Sequence, residues 1–125
     1  MDKQTFIREC GVALKSLKFR KNRNYWYKEH AGYLLCLNFQ NSQWSKEVYY
    51  VNFGIAFIDP SARNPTILQW FCRHRVQGDN GEKNITVDEL LEFLSDVQRE
   101  YPDVTEITEY IVSKGARLVV NQYWF

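Results

Sequence analysis

The sequence predicts a single α+β domain: an N-terminal helix, an antiparallel sheet of about four strands, one or two C-terminal helices and a short final strand or extended tail. Three observations carry this. The 125 residues are 45% hydrophobic and 25% charged, enough apolar content for one packed core and far too much for a disordered chain. Apolar residues recur with helical spacing near the start, with a period of two between about residues 25 and 76, and with helical spacing again after residue 85. The strand-like segments follow one another through turns, which gives hairpins rather than parallel βαβ units.

The first helix spans Asp2 to about Leu17, where Phe6, Cys10, Ala13, Leu14 and Leu17 share one face. Aromatic content then rises and the period changes. Tyr25–Lys28 reads as a first strand, with a hairpin turn over Glu29–Gly32 in which Gly32 can take positive φ. The second strand, about Tyr33–Gln40, alternates Tyr33, Leu35, Leu37 and Phe39 against Leu34, Cys36, Asn38 and Gln40. A third puts Tyr49, Val51, Phe53, Ile55 and Phe57 on one side and Tyr50, Asn52, Gly54 and Ala56 on the other, and ends at Asp59-Pro60. A fourth, Ile67–Val76, alternates Leu68, Trp70, Cys72, His74 and Val76 with Gln69, Phe71, Arg73 and Arg75.

After a turn-rich loop over Gln77–Gly81, Thr86 and Glu89 form a capping box that opens a helix with Leu90, Leu91, Leu94, Val97 and Tyr101 as its apolar stripe. Asp103 can cap a last helix carrying Val104, Ile107 and Ile111, stopped at Gly115. The tail Arg117–Phe125 is β-rich, and its Tyr123-Trp124-Phe125 suits either core packing or a contact surface.

Several reaction classes lose their signature. The sequence lacks GxGxxG, GxxxxGK[ST], HExxH and GxSxG. Cys10, Cys36 and Cys72 are odd in number and widely spaced, so free buried thiols in a reducing cytoplasm are expected, with no metal and no cofactor. No leader peptide pattern or membrane-spanning run is present, which also points to the cytoplasm. Cys36 or Cys72 with His74 would be the minimum of a thiol enzyme, while His30 falls in the predicted turn. Asp79, Asn80 and Glu82 offer oxygen donors without EF-hand spacing, so an ordinary hydrophilic turn is expected there.

Charge is unevenly distributed along the chain. Residues 1–78 carry twelve Lys or Arg and five Asp or Glu, a net +7, whereas residues 79–109 carry two and ten, a net −8. Lys15, Lys18, Arg20, Lys21 and Arg23 run directly into Tyr25-Trp26-Tyr27, and basic residues beside an aromatic such as Trp26 suit a nucleic-acid backbone and stacked bases. A solvated helix end with core aromatics is the ordinary alternative. Strand alternation defines a second surface: with the apolar faces turned to the helices, Asn38, Gln40, Asn52, Arg73 and Arg75 share the opposite face, with Trp26 near it. Amides and guanidinium groups gathered on a sheet suit an anionic or carboxylate-bearing partner, against the alternative of a solvated outer face.

The phrases Leu17-Lys18-Phe19-Arg20-Lys21, Tyr25-Trp26-Tyr27-Lys28, Leu37-Asn38-Phe39-Gln40-Asn41-Ser42-Gln43-Trp44, Tyr50-Val51-Asn52-Phe53-Gly54-Ile55 and Arg73-His74-Arg75 resemble a bacterial family known as domain of unknown function 4304, over roughly residues 10–76. The glycine that often precedes the family's phenylalanine is Lys18 here. The resemblance implies the fold and a bacterial cytosolic setting, and no activity. Its polar positions are Gln40, Ser42, Asn52, Arg73 and Arg75, on the polar sheet face. The expectation is a non-enzymatic module that binds a protein, or a small anionic ligand, on that face, one form being an immunity-type partner; nucleic-acid binding and a thiol enzyme are the alternatives.

Overall fold

The structure, a computed structural model, describes residues 3–30, 32–41, 49–70, 72–76, 85–100, 106, 109 and 119–120. Helix α1 (Lys3–Ser16) leads into six antiparallel strands, β1 (Arg20–Asn22), β2 (Tyr25–His30), β3 (Tyr33–Asn41), β4 (Tyr49–Phe57), β5 (Cys72–Val76) and β6 (Val119–Val120), with a short 3₁₀ turn at Ile67–Gln69 and helix α2 (Val87–Glu100). Strand order in the sheet is the order of the chain, β1 to β6. The α+β class and the antiparallel sheet follow the sequence reading, with short edge strands at both ends.

Helix α1 ends where its geometry forces it to. Lys18 takes a left-handed φ of 72°, and the Phe19 and Lys18 amides donate to the carbonyls of Leu14 and Lys15 at 2.9 and 3.0 Å. This is the reciprocal pair of a Schellman closure, with Phe19 and Leu14 both buried as its apolar contact. A glycine would reach this conformation without strain. At the other end of the first long hairpin Gly32 has φ 88°, as the turn requires.

One face of the sheet carries α1 and α2. Phe6, Cys10 and Leu14 of α1, Leu90, Leu94 and Val97 of α2, and Tyr33, Leu35, Leu37, Phe39, Tyr49, Val51, Phe53 and Ile55 of the central strands form the main core. Phe6 stacks on Tyr49 with centroids 4.4 Å apart and meets Phe39 edge-on. Phe93 meets Phe53 edge-on at 5.1 Å. The capping box at α2 forms as expected, Thr86 Oγ1 accepting from the Glu89 amide while Glu89 accepts from the Thr86 amide. Leu91, expected in the buried stripe, is only half-buried.

The segment after β4 departs from the expected fourth strand. Residues 67–69 turn as 3₁₀ helix and strand pairing begins only at Cys72. Leu68 is 75% exposed, and Trp70 is buried on the opposite face of the sheet from Val76. The cause lies in the hydrogen bonds. Tyr27 Oη and Trp70 Nε1 both donate to the Pro65 carbonyl, at 2.8 and 3.0 Å, and the Ile67 amide donates to Tyr25 Oη. Residues 59–70 therefore lie as a strap across the outer face, with Trp70 packed on Tyr27, Leu34, Cys36 and Ala56.

Strand β1 lies inside the segment expected to link α1 to the sheet, and Tyr25–Lys28 extends to His30. Of the predicted last helix only Glu106 and Glu109 are described, both helical and exposed; the remainder, with Tyr101 and the Asp79–Glu82 and Tyr123–Phe125 segments, lies outside the described residues.

Two backbone positions give opposite expectations. Lys18→Gly relieves a left-handed residue and stabilises the domain by about 0.5–1 kcal/mol, whereas Gly32→Ala introduces the same strain and destabilises it by about 1–2 kcal/mol. Urea denaturation with an unchanged slope checks both.

Candidate functional site: the outer sheet face

Register builds the outer face row by row. Tyr25, Asn38, Asn52 and Arg75 stand directly opposite one another across β2 to β5. In the next row Gln40 faces Tyr50, and on the other side Tyr27, Cys36, Gly54 and Arg73 align. The strap covers the end that holds Tyr27 and Cys36. Asn38, Gln40, Asn52, Arg73 and Arg75 come together as the alternation of the sequence implied.

Burial divides this group. Asn38 and Asn52 are 6% and 4% exposed, so they are interior polar groups rather than a solvated face. Asn52 Nδ2 donates to Asn38 Oδ1 at 3.2 Å and to Gln40 Oε1 at 2.9 Å, using both its hydrogens. Gln40 and Arg75 are exposed, and Arg73 is half-buried, facing a glycine across the strand pair. Arg75 lays its guanidinium 3.8 Å over the half-buried Tyr50 ring. Tyr50 was legible as an outer-face residue, but a side-chain stack across two strands leaves no mark in a one-dimensional pattern. Ser42 lies outside the described residues.

The basic segment is not one patch. Pairing of β1 with β2 sends Arg20 towards Tyr27 and Lys21 towards Trp26, on opposite faces. Arg20 is also tied to the strap, donating to Asn64 Oδ1 and to the Arg63 carbonyl. Lys15, Lys18, Lys21 and Arg23 are exposed. Trp26, expected near the polar face or as a stacking residue beside the cations, is instead 3% exposed in the helix-side core, where its ring meets α1 next to Gly11. Alternation is the reason: Tyr25 and Tyr27 take the outer face, so Trp26 takes the inner one.

Cys36 is fully buried beneath Trp70 and its strand partners are Tyr27 and Gly54. The His74 backbone pairs instead with Phe53, and that of Cys72 with Ile55. Cys10 is buried in the main core, where desolvation and then the nearby Glu9 push its thiol up to about 12 from an ordinary 9.0. Burial likewise raises Tyr27 and Tyr49. His30 ends β2 rather than sitting in the turn, its ring 5.9 Å edge-on to Tyr33. Among the described residues no cluster of His, Cys, Asp or Glu could hold a metal, and no helix is long and apolar enough to cross a membrane. A groove of about 540 Å3 runs between α1 and α2, lined by Ala13, Leu17, Leu91, Ser95 and Gln98 among others, and none of the predicted site residues borders it.

Two measurements follow from this chemistry. Asn52→Ala strips the donor from two amide carbonyls, one of them buried, and costs about 1–3 kcal/mol in urea denaturation; a loss below about 0.5 kcal/mol would show the network to be idle. Raised thiol and phenol pKa values mean that folding favours the neutral forms. Their stabilisation is complete below the ordinary pKa and is lost as pH rises from 9.0 towards about 12 for Cys10. Cys10→Ala therefore flattens the fall of stability with pH over that window.

No curated protein and no solved structure is a significant match to this chain. A family model for a domain of unknown function, DUF4304, matches residues 10–99. The matched span runs from the second half of α1 through β5 and nearly to the end of α2, further than the short phrases of the sequence suggested, and it contains the whole outer-face group. The chain belongs to the DUF4304 family of domains of unknown function.

Proposed function

We propose that this domain is a non-enzymatic binding module whose outer sheet face receives a protein partner with an anionic surface. The observation that carries this is Arg75, exposed and stacked on Tyr50 beside a buried amide network, with Arg73 two residues away on the same strand. A guanidinium held by an aromatic ring keeps its planar donor fork oriented, so less freedom is lost when it meets a carboxylate. A bacterial cytosolic setting and an immunity-type role, in which a small domain neutralises a second protein, fit this reading by analogy of size and surface alone.

Nucleic-acid binding through Lys15, Lys18, Lys21 and Arg23 is the second reading, supported by the exposure of these four cations. Its aromatic, Trp26, is in the core, and Arg20 is held by the strap. The thiol reading draws nothing from Cys36, which is fully buried.

The test is capture from lysate of the native host with wild type and an Arg73→Ala, Arg75→Ala double variant whose folding is checked by circular dichroism. A protein retained by wild type and lost by the folded variant is then purified, and titration calorimetry shows its affinity for the variant reduced by about 10- to 100-fold. Equal capture by both forms would sink the proposal.

A further inference from the structure

We infer that Gln40, Tyr50 and Arg75 form a clamp for a single carboxylate presented by the partner, with Asn52 as the residue that positions it. The inference rests on the outer-face reading above and names its ligand chemistry. Asn38 and Asn52 are buried and the half-buried Tyr25 accepts from the strap through its hydroxyl, so beyond the strap contact from outside in these two rows goes through the exposed Gln40 and Arg75 and the half-buried Tyr50. Gln40 stands directly opposite Tyr50 in the β3–β4 register, and the Arg75 guanidinium lies 3.8 Å over the same ring. The Tyr50 ring is thus a platform with an amide at one side and a cation on its face.

Each of the three groups presents a donor. Asn52 engages Gln40 through its carbonyl oxygen, and because the amide is planar the Gln40 NH2 points away from Asn52. The guanidinium has donors only, and stacking on a ring leaves its in-plane N–H edges for a partner lying in that plane. The Tyr50 hydroxyl can donate as well. Among the described residues, the rows that hold these groups contain no Asp or Glu. One fixed cation flanked by two neutral donors suits a planar, acceptor-only monoanion, which is a carboxylate. Its source in a protein is an acidic side chain or a chain terminus.

The probes are three eight-residue peptides of otherwise neutral sequence: one with an internal glutamate and an amidated C-terminus, one with glutamine in its place and a free C-terminal carboxylate, and one with neither. Binding is followed by NMR on the Arg75 Nε–H and Gln40 NH2 resonances. At least one carboxylate peptide binds about 10-fold or more tightly than the neutral one, and which of the two does so identifies the source. Arg75→Lys keeps the charge on an exposed site but loses the fork, and it removes that preference. Asn52→Ala, in folded protein, shifts the Gln40 NH2 resonances towards those of a freely rotating glutamine while the Arg75–Tyr50 ring-current shift persists, a change that loss of stability alone does not produce. Equal binding of all three peptides, absence of a shift at Arg75, or an undiminished carboxylate preference in Arg75→Lys would overturn the clamp. Should the captured partner still be lost by the Arg73→Ala, Arg75→Ala variant, the outer face stands and only the clamp falls; capture insensitive to that variant removes both.

Discussion

Burial of the β3–β4 hairpin on both faces is the constraint on which the rest of this molecule depends. Tyr33, Leu35, Leu37, Val51, Phe53 and Ile55 need helices above them, and Leu34, Cys36 and Ala56 need a cover below. Helices α1 and α2 supply the first. The strap supplies the second, but only over half the length of the hairpin. The remaining half carries amides in place of aliphatic side chains, and their mutual hydrogen bonds satisfy groups that would otherwise be costly to bury. The candidate site therefore lies where the apolar cover stops.

The amide network also specifies alignment. Asn38 and Asn52 are directly opposite, and a slip of one residue between β3 and β4 would carry one of them into the helix-side core while turning that strand's core-facing residues outward and leaving the other amide without its partner. Polar residues at interior strand positions thus penalise wrong pairings more than they strengthen the right one, the use for which buried polar groups are best attested. Arg75 inherits its position from this alignment, since it is paired with Asn52 in turn.

Much of this was legible in the sequence because a period of two is a strong signal. Both faces of β3 and β4, the capping box at Thr86 and the gathering of Asn38, Gln40, Asn52, Arg73 and Arg75 follow from counting positions. The strap was not legible: Ile67–Val76 has acceptable alternation, and only the convergence of Tyr25, Tyr27 and Trp70 on residues 65–67 breaks it. Tyr25 and Tyr27 lie some forty residues before their partners along the chain. Trp26 shows the opposite failure. Its place among cations suggested a surface role, but its parity between two outward tyrosines had already assigned it to the core.

The order of the sheet has a consequence for how the chain reaches this state. Every described strand pairs with its neighbour in sequence, and β1 to β4 are separated by at most seven residues, so each pairing closes a small loop at low entropic cost. Long-range closure comes with the strap that reaches back to Tyr25 and Tyr27, with the laying of α1 and α2 over the sheet and with the return of β6. Such a topology favours rapid folding by successive hairpins, in contrast to all-β domains of similar size whose strands pair out of order.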